Sequence, residues 1–122
     1  MINRNRTAIV RTKISRPIRI AIECGLVNKD SSIFDYGCGK GLDIKLLSGA
    51  GYNIDGWDPY FRSHVKKAKA AIIQMGYVIN VIEDIDERAN SVKEAWSLTE
   101  VVLIIAARLA YQIKYDSVQN SE

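Results

Sequence analysis

The sequence of 122 residues has little of what metal centres, disulfide frameworks and membrane spans require. It has one histidine, His64, and two cysteines, Cys24 and Cys38, which are 14 positions apart and form no CxxC motif. This pattern argues against a metal or a disulfide framework and favours a reducing cytoplasm. Apolar stretches such as 101–107 are far shorter than the ~20 residues of a membrane span, and the first residues contain arginines instead of an apolar signal core. We therefore expect a cytoplasmic globular protein without metal.

Acidic residues are absent from residues 1–19, although the whole chain has a net charge of only +3. That segment carries six basic residues and a charge of +6, namely Arg4, Arg6, Arg11, Lys13, Arg16 and Arg19. The remainder has 11 basic and 14 acidic residues. A basic arm on a slightly acidic body is typical of a segment that binds nucleic-acid phosphates, although a solvated, disordered arm has the same composition. We predict an arm at 1–14, a domain at 15–115 and a polar tail at 116–122.

Helical and strand-like patterns alternate along the domain. Helices are predicted from the N-cap Ser15 to Gly25, from Leu42 to about Ala50, and from about Asp86 to Leu98. Short β-rich runs lie at 32–36, 53–57, 70–75 (continuing towards 81) and 101–105. This alternation predicts a small Rossmann-like open parallel α/β sheet of about four strands in the order 2-1-3-4 with flanking helices. Within it, we expect Cys24 to be buried and Trp96 to anchor its helix on the sheet.

The first strand ends in a glycine-rich turn, Gly37-Cys38-Gly39-Lys40-Gly41, from which the next helix starts. Glycine allows backbone angles that other residues avoid and lets a ligand approach the main chain closely. Asp58 follows the second strand, 21 residues after Gly37, a spacing from which a carboxylate reaches both hydroxyls of a ribose. Ligands of open α/β sheets bind where the strand order reverses, which is here. The combination predicts a site for an adenosine-containing cofactor.

The residues around the turn favour S-adenosylmethionine among such cofactors. Nicotinamide and flavin sites usually read GxGxxG, whereas Leu42 stands at the third glycine position here. Asp35, two residues before Gly37, suits the positive amino group of a methionine moiety and would repel a pyrophosphate. The sequence contains no GxxxxGK[ST] phosphate loop. Nicotinamide binding remains the weaker alternative.

Asp35-x-Gly37-x-Gly39-x-Gly41 resembles motif I of class I S-adenosylmethionine-dependent methyltransferases, and Gly56-Trp57-Asp58-Pro59 resembles their acidic second-strand end. With Ser15-Arg16-Pro17 and the run 76–84, these blocks resemble the amino-terminal domain of DNA phosphorothioation-associated putative methyltransferases. The resemblance implies a truncated class I methyltransferase domain in a bacterial defence system. It implies cofactor contacts that lie on the methionine side at Asp35, Gly37, Cys38, Gly39 and Gly41, on the ribose at Asp58, and near the transferred methyl group at Asn80.

Catalytic residues are less clearly marked. Tyr77 and Asn80 follow the third strand and are weak candidates, because the Pro-Pro motif of adenine-N6 methyltransferases and the Pro-Cys of cytosine-C5 enzymes are both missing. His64 and the lysines Lys66, Lys67 and Lys69 are expected in a solvated loop, with a phosphate-binding face as the alternative for the lysines. The leading hypothesis is a methyltransferase core that acts on or alongside DNA. The alternative is a non-catalytic or truncated cofactor-binding subunit that pairs with a partner or a second copy through its exposed last strand.

Overall fold

A computed structural model describes residues 14–76 and 82–107 of the chain. Four strands and three helices alternate in it: α1 (Arg16–Glu23), β1 (Ser32–Tyr36), α2 (Leu42–Gly49), β2 (Asn53–Trp57), β3 (Ala70–Gly76), α3 (Ile85–Leu98) and β4 (Thr99–Ala106). The strands form one sheet in the order β2-β1-β3-β4, and all neighbouring pairs are parallel. The predicted fold class, strand number and strand order are confirmed. The boundaries of the arm, domain and tail stay predictions.

The register brings three strand ends together. Tyr36 at the end of β1 pairs with Trp57 at the end of β2, and Asp35 pairs with both Gly56 and Gln74. Because the strands run parallel, the loops that follow β1, β2 and β3 leave the same edge of the sheet. This edge is where the glycine turn and Asp58 lie.

Alternate residues of the strands serve two hydrophobic cores, as the two-residue period of a strand requires. On one face, Ile33 and Ile72 pack with Ile18 and Leu47 of α1 and α2. On the other face, the buried residues are Phe34, Tyr36, Ala70, Ile73, Met75 and, from α3, Ala95. Fully burying one large aliphatic side chain contributes about 1.5–3 kcal/mol. Helices on both faces therefore hold the central strands β1 and β3.

Helix ends follow the sequence closely, with local differences. Gly25 has a φ of 75° after the end of α1, as predicted for a C-terminal glycine. Ser15 is the N-cap of α1, but its hydroxyl donates a hydrogen bond to Asp43 of α2 and leaves the helix uncapped by a side chain. Asp84 caps α3 by accepting a hydrogen bond from the backbone N–H of Glu87.

Two burial predictions are wrong. Cys24 is exposed, and it is the C-cap residue that follows Glu23, the last residue of α1. Trp96 is 64% exposed. The residues of α3 that face the sheet are Ala95, which is fully buried, and Val92 and Leu98, three positions before and after it. Since consecutive helical residues point about 100° apart, the position next to Ala95 is turned towards solvent.

Several residues with predicted roles lie outside residues 14–76 and 82–107, the part of the chain that the structure describes. β3 is described as far as Gly76; Tyr77 and Asn80 lie outside the described residues, as do Arg4, Arg6, Arg11 and Lys13 of the arm. Between β2 and β3, residues 59–65 form turns and bends, and residues 66–69 have no regular structure. β2 and β4 are consequently the outer strands of the described sheet. None of the described helices is long and apolar enough to cross a bilayer.

Candidate cofactor cleft

The glycine turn after β1 is fastened to the end of β2. The glycines of the turn, Gly37, Gly39 and Gly41, have φ values of 83°, 57° and 84°, in the left-handed region that other residues avoid. The backbone N–H groups of Gly37 and Cys38 both donate to the carbonyl oxygen of Trp57, at 2.7 and 3.0 Å. The turn therefore has a fixed position above the sheet before any ligand is present.

Asp58 faces this turn, as the sequence predicts. Its Oδ1 accepts a hydrogen bond from Gly39 N at 2.9 Å, and its Oδ2 accepts from Tyr60 N and Phe61 N at 3.0 and 3.1 Å. A carboxylate has about four acceptor positions, so three are filled by the backbone. Asp58 can accept one ribose hydroxyl without losing a bond, and a second only by displacing a backbone donor. The side chain thus orders the loop as well as facing the cleft.

A cleft of about 790 Å³ opens beside the turn and Asp58. Its walls carry aromatic side chains from β1, β2 and the following loop, namely Tyr36, Trp57, Tyr60 and Phe61. They also carry the carboxylates of Asp58, Glu83, Asp84 and Glu87, while no lysine or arginine is among the described lining residues. Tyr60 is 87% exposed at the lip of the cleft. The described walls suit a cationic ligand that has a flat ring.

Asp35 lies below the glycine turn, on the face of β1 that is opposite to Tyr36 and the cleft. The residue is 5% exposed. Burial raises its pKa from 3.8 to about 7, and the nearby carboxylates of Asp43 and Asp58 add to the rise, while a hydrogen bond from Gln74 opposes it. Asp43 itself accepts hydrogen bonds from Ser15 N, Ser15 Oγ and Gln74 Nε2. Gln74 Oε1 is buried without a hydrogen-bond partner among the described residues. This buried cluster therefore has more hydrogen-bond acceptors than donors.

Cys38 has no features of a nucleophile. Its thiol contacts the carbonyl oxygen of Gly39 at 3.6 Å. Burial and the nearby carboxyl of Asp35 raise the pKa of the thiol to about 11. A thiol that stays protonated at neutral pH is a poor nucleophile, so Cys38 fills space in the turn.

A second cavity of about 480 Å³ adjoins the cleft, and sequence reasoning missed it. The ammonium group of Lys67 lies 3.9 Å from the ring centre of Trp57 and 5.3 Å from that of Tyr36. It also forms an ion pair of 2.5 Å with Glu94 of α3, which in turn accepts a hydrogen bond from the Tyr36 hydroxyl. The prediction of a solvated or phosphate-binding lysine is wrong for Lys67. No local signal could have found this cluster, because its four members come from four different elements and loops.

The hydrogen bonds that Glu94 accepts stabilise its ionised carboxylate. Those from Lys67 and Tyr36 lower the pKa of Glu94, so the carboxylate is ionised at neutral pH. Burial and the same carboxylate raise the pKa of the Tyr36 hydroxyl. Tyr36 therefore stays protonated and donates to Glu94.

The structure brings one group of predicted site residues together and leaves others apart. Asp35, Gly37, Cys38, Gly39, Gly41 and Asp58 lie near the ends of β1 and β2, and of these Gly37, Gly39 and Asp58 line the cleft. Arg16 and Arg19 lie on α1, which packs on the face of the sheet that contains Ile33. His64 is exposed, as expected. Among residues 14–76 and 82–107, no three His, Cys, Asp or Glu side chains are grouped to hold a metal.

The topology defines a Rossmann-like α/β fold. Comparison with protein-family models gives no match, and comparison with curated proteins gives none either. Among solved structures, a SAM-dependent methyltransferase from Thermotoga maritima, described as a possible histamine N-methyltransferase, is similar at 15% sequence identity and a TM-score of 0.49. The match covers 98% of this chain and 65% of that protein, so this chain spans about two thirds of its length.

Proposed function

We propose that the chain is the cofactor-binding core of an S-adenosylmethionine-dependent methyltransferase. The observation that carries the proposal is the hydrogen bond from Gly39 N to Asp58 Oδ1, which joins the glycine turn to the acidic end of β2 at the mouth of the cleft. S-adenosylmethionine, when bound, supplies a methyl group on a positively charged sulfur. The aromatic rings and carboxylates of the cleft fit such a cation, because both attract positive charge.

The chain's own residues have separate tasks in this proposal. The left-handed glycines let the methionine end approach the backbone, and the carboxyl of Asp35 offers negative charge to its ammonium group. The remaining acceptor position of Asp58 takes one ribose hydroxyl. Tyr60 or Phe61 at the exposed lip of the cleft stacks on the adenine. Catalysis then depends mainly on alignment of the methyl group with its acceptor.

A nicotinamide dinucleotide fits this cleft less well. Its pyrophosphate carries two negative charges, whereas the described cleft walls present four carboxylates and no basic side chain. Charges of like sign at short range are unfavourable in a partly desolvated cleft. This electrostatic argument supports the methyl donor over the dinucleotide.

We also propose that the basic arm binds DNA. We further propose that the protein acts in bacterial defence and is located in the cytoplasm. Residues 1–19, the arm and the start of α1, carry six basic residues and no acidic ones, which suits phosphate contacts. Asn80 and Tyr77 stay predictions for the acceptor side of the cleft. The cytoplasmic location rests on the low cysteine content.

A second candidate function is a non-catalytic cofactor-binding subunit that needs a partner chain. The observation that favours it is β4, an outer strand of the described sheet on which Val101 is 69% and Ile105 42% exposed. An exposed apolar edge strand offers unpaired backbone groups to another chain. The two candidates share the cofactor and differ in whether methyl transfer occurs.

Calorimetric titration tests the cofactor. We expect S-adenosylhomocysteine to bind the wild-type chain and NAD to show no heat above dilution. Asp58→Asn should weaken S-adenosylhomocysteine binding about tenfold or more, because a hydrogen bond to a charged group is worth about 1.5–3 kcal/mol. Asp30→Asn, at an exposed position before β1, is the matched control and should leave the affinity unchanged. Binding of NAD alone would refute the assignment.

Transfer of a labelled methyl group separates the two candidates. The chain is incubated with S-adenosylmethionine that carries a tritiated methyl group, with DNA and with small amines as acceptors. Incorporation that requires an intact glycine turn supports the methyltransferase. Tight cofactor binding without incorporation into any acceptor supports the binding subunit.

A further inference from the structure

The side chains of Trp57, Tyr36 and Glu94 surround the ammonium group of Lys67, and we call these three side chains the ammonium cage. Two aromatic faces lie at 3.9 and 5.3 Å from the Lys67 nitrogen, and a carboxylate lies at 2.5 Å. Aromatic faces around a cation together with a carboxylate are the usual way in which proteins recognise alkylammonium ligands. The chain's own lysine already fills this cage, which shows what chemistry the cage accepts.

The ammonium cage borders the proposed cofactor cleft. Tyr36 and Trp57 line both cavities, as do Asp84, Glu87 and Ser91. The two cavities therefore adjoin each other. Transfer of a group between two ligands requires this kind of adjacency.

The charge of the second cavity also selects a cation. Besides Glu94, its described walls hold the carboxylates of Asp84, Asp86 and Glu87, and Lys67 is the only basic side chain among them. Without the lysine ammonium, the walls would present four carboxylates to whatever enters. A phosphate-bearing group such as a nucleotide in DNA would be repelled there.

We propose that the second cavity is an alkylammonium-binding site in which Lys67 holds the place of an amine-bearing small molecule. In so far as this molecule is the methyl acceptor, the inference rests on the proposed function. The Lys67 side chain leaves the cage when the external amine enters. Lys67 lies in residues 66–69, which belong to no helix, strand or turn, and its side chain is 31% exposed.

The reaction at this site balances as a simple displacement. The external ammonium first gives one proton to a wall carboxylate, such as Glu87, and from there to water. The lone pair on nitrogen then forms the new N–C bond as the C–S bond breaks and sulfur keeps that electron pair. The products are the methylated amine and S-adenosylhomocysteine.

Chemical complementation tests the cage. Lys67→Ala removes the internal ammonium, and n-butylamine, which is cationic at pH 7.5, replaces the missing side chain. The sequence has two tryptophans, so Trp57 fluorescence is recorded in a Trp96→Phe background. We expect saturable quenching by n-butylamine at least about tenfold stronger than by the neutral 1-butanol. The same concentration of sodium chloride corrects for ionic strength.

Matched variants show that the effect belongs to the cage. Lys66→Ala changes the exposed neighbouring lysine and should give no saturable quenching, because Lys67 still fills the site. Glu94→Gln added to Lys67→Ala should weaken n-butylamine binding by about tenfold, since it removes the carboxylate partner. Urea unfolding of each variant verifies that the protein is folded at the assay temperature.

A second readout tests the acceptor role separately. Lys67→Ala with S-adenosylmethionine and n-butylamine should form N-methylbutylamine, detected by mass spectrometry, and more of it than the wild type forms. Quenching without a methylated product overturns the acceptor role. If n-butylamine and 1-butanol act alike while S-adenosylhomocysteine still binds, the ammonium site is wrong and the proposed function stands. If n-butylamine binds and S-adenosylhomocysteine does not, the proposed function fails and the cage remains.

Discussion

Burial and hydrogen bonding give the two carboxyl groups nearest the glycine turn opposite characters. Asp58 is surrounded by backbone N–H groups, three of which donate to its oxygens. Asp35 is buried beside the carboxylate of Asp43, with Gln74 as its hydrogen-bonding neighbour. Ionisation of Asp35 is therefore costly in the free protein. A ligand cation would offset that cost, which links the cofactor's affinity to pH.

The affinity of the chain for S-adenosylhomocysteine should rise with pH. Because the pKa of Asp35 is about 7, the ionised form that attracts the ligand ammonium grows from a minor to a major fraction between pH 6 and pH 8. This predicts roughly a tenfold gain in affinity over that range, measured by calorimetry. Asp35→Asn should bind about tenfold or more weakly at pH 8 and lose the pH dependence. An equally steep profile in Asp35→Asn would contradict the assignment.

The same residue predicts how stability changes with pH. The folded state holds the Asp35 proton more tightly than the unfolded chain, whose pKa for this residue is near 3.8. Its contribution to stability is therefore fully present below pH 4 and is lost as the pH rises through about 7. Urea unfolding should find Asp35→Asn more stable than wild type at pH 8, and the advantage should shrink towards pH 4. Asp30→Asn is the control and should show a difference that does not vary in this way.

At the scale of elements, the sequence predicts the features that depend on neighbouring residues along the chain. The sequence predicts the glycine turn, the strand before it and the position of Asp58 after β2, because turns and strands depend on residues that are adjacent along the chain. The sequence does not predict which side of α3 faces the sheet, because the packing of Ala95 against the sheet determines that orientation. The ammonium cage was missed for the same reason. Its side chains, Tyr36, Trp57 and Glu94, come together around Lys67 only after the sheet has formed.

Contact between β1, β2 and α2 depends on Gly56, which sequence reasoning placed only in the strand-end motif. A Cβ atom there would lie 2.7 Å from the carbonyl oxygen of Asp35 and 2.7 Å from Cδ1 of Ile44. Since the first contact is with backbone, the strands themselves would have to shift. We expect Gly56→Ala to lower the free energy of unfolding by about 1–3 kcal/mol, measured in urea.

Gly49 provides the matched control for this substitution. It is the last residue of α2, and a Cβ atom there would meet nothing within 4 Å. Gly49→Ala should raise stability by about 0.5–1 kcal/mol, because alanine loses less conformational freedom in a helix. Equal effects of the two substitutions would show that the close contact at Gly56 does not exist.

At the scale of the whole molecule, positive and negative charge are segregated. Residues 1–19 carry +6 and the rest of the chain −3, and the described cleft walls contain only acidic charged residues. A DNA backbone would be attracted to the arm and repelled by the cleft. If DNA binds, its role is therefore to dock the domain, while the acidic cleft and the ammonium cage select a cationic acceptor. The two proposals are compatible only in this division of tasks.

Salt dependence tests that division. Replacing Arg4, Arg6, Arg11, Lys13, Arg16 and Arg19 with glutamine should weaken binding to a duplex of any sequence. It should also flatten the dependence of affinity on salt by about 0.9 logarithmic units for each DNA phosphate that the arm no longer neutralises. Replacing Lys29, Lys45 and Lys93 with glutamine lowers the net charge at sites outside the arm and should leave the slope unchanged. Because the arm contributes nothing to either cavity in this division, n-butylamine binding to Lys67→Ala should be the same with and without the arm charges. Loss of amine binding together with the arm charges would show that the arm reaches the cavity, and docking and acceptor selection would then not be separate.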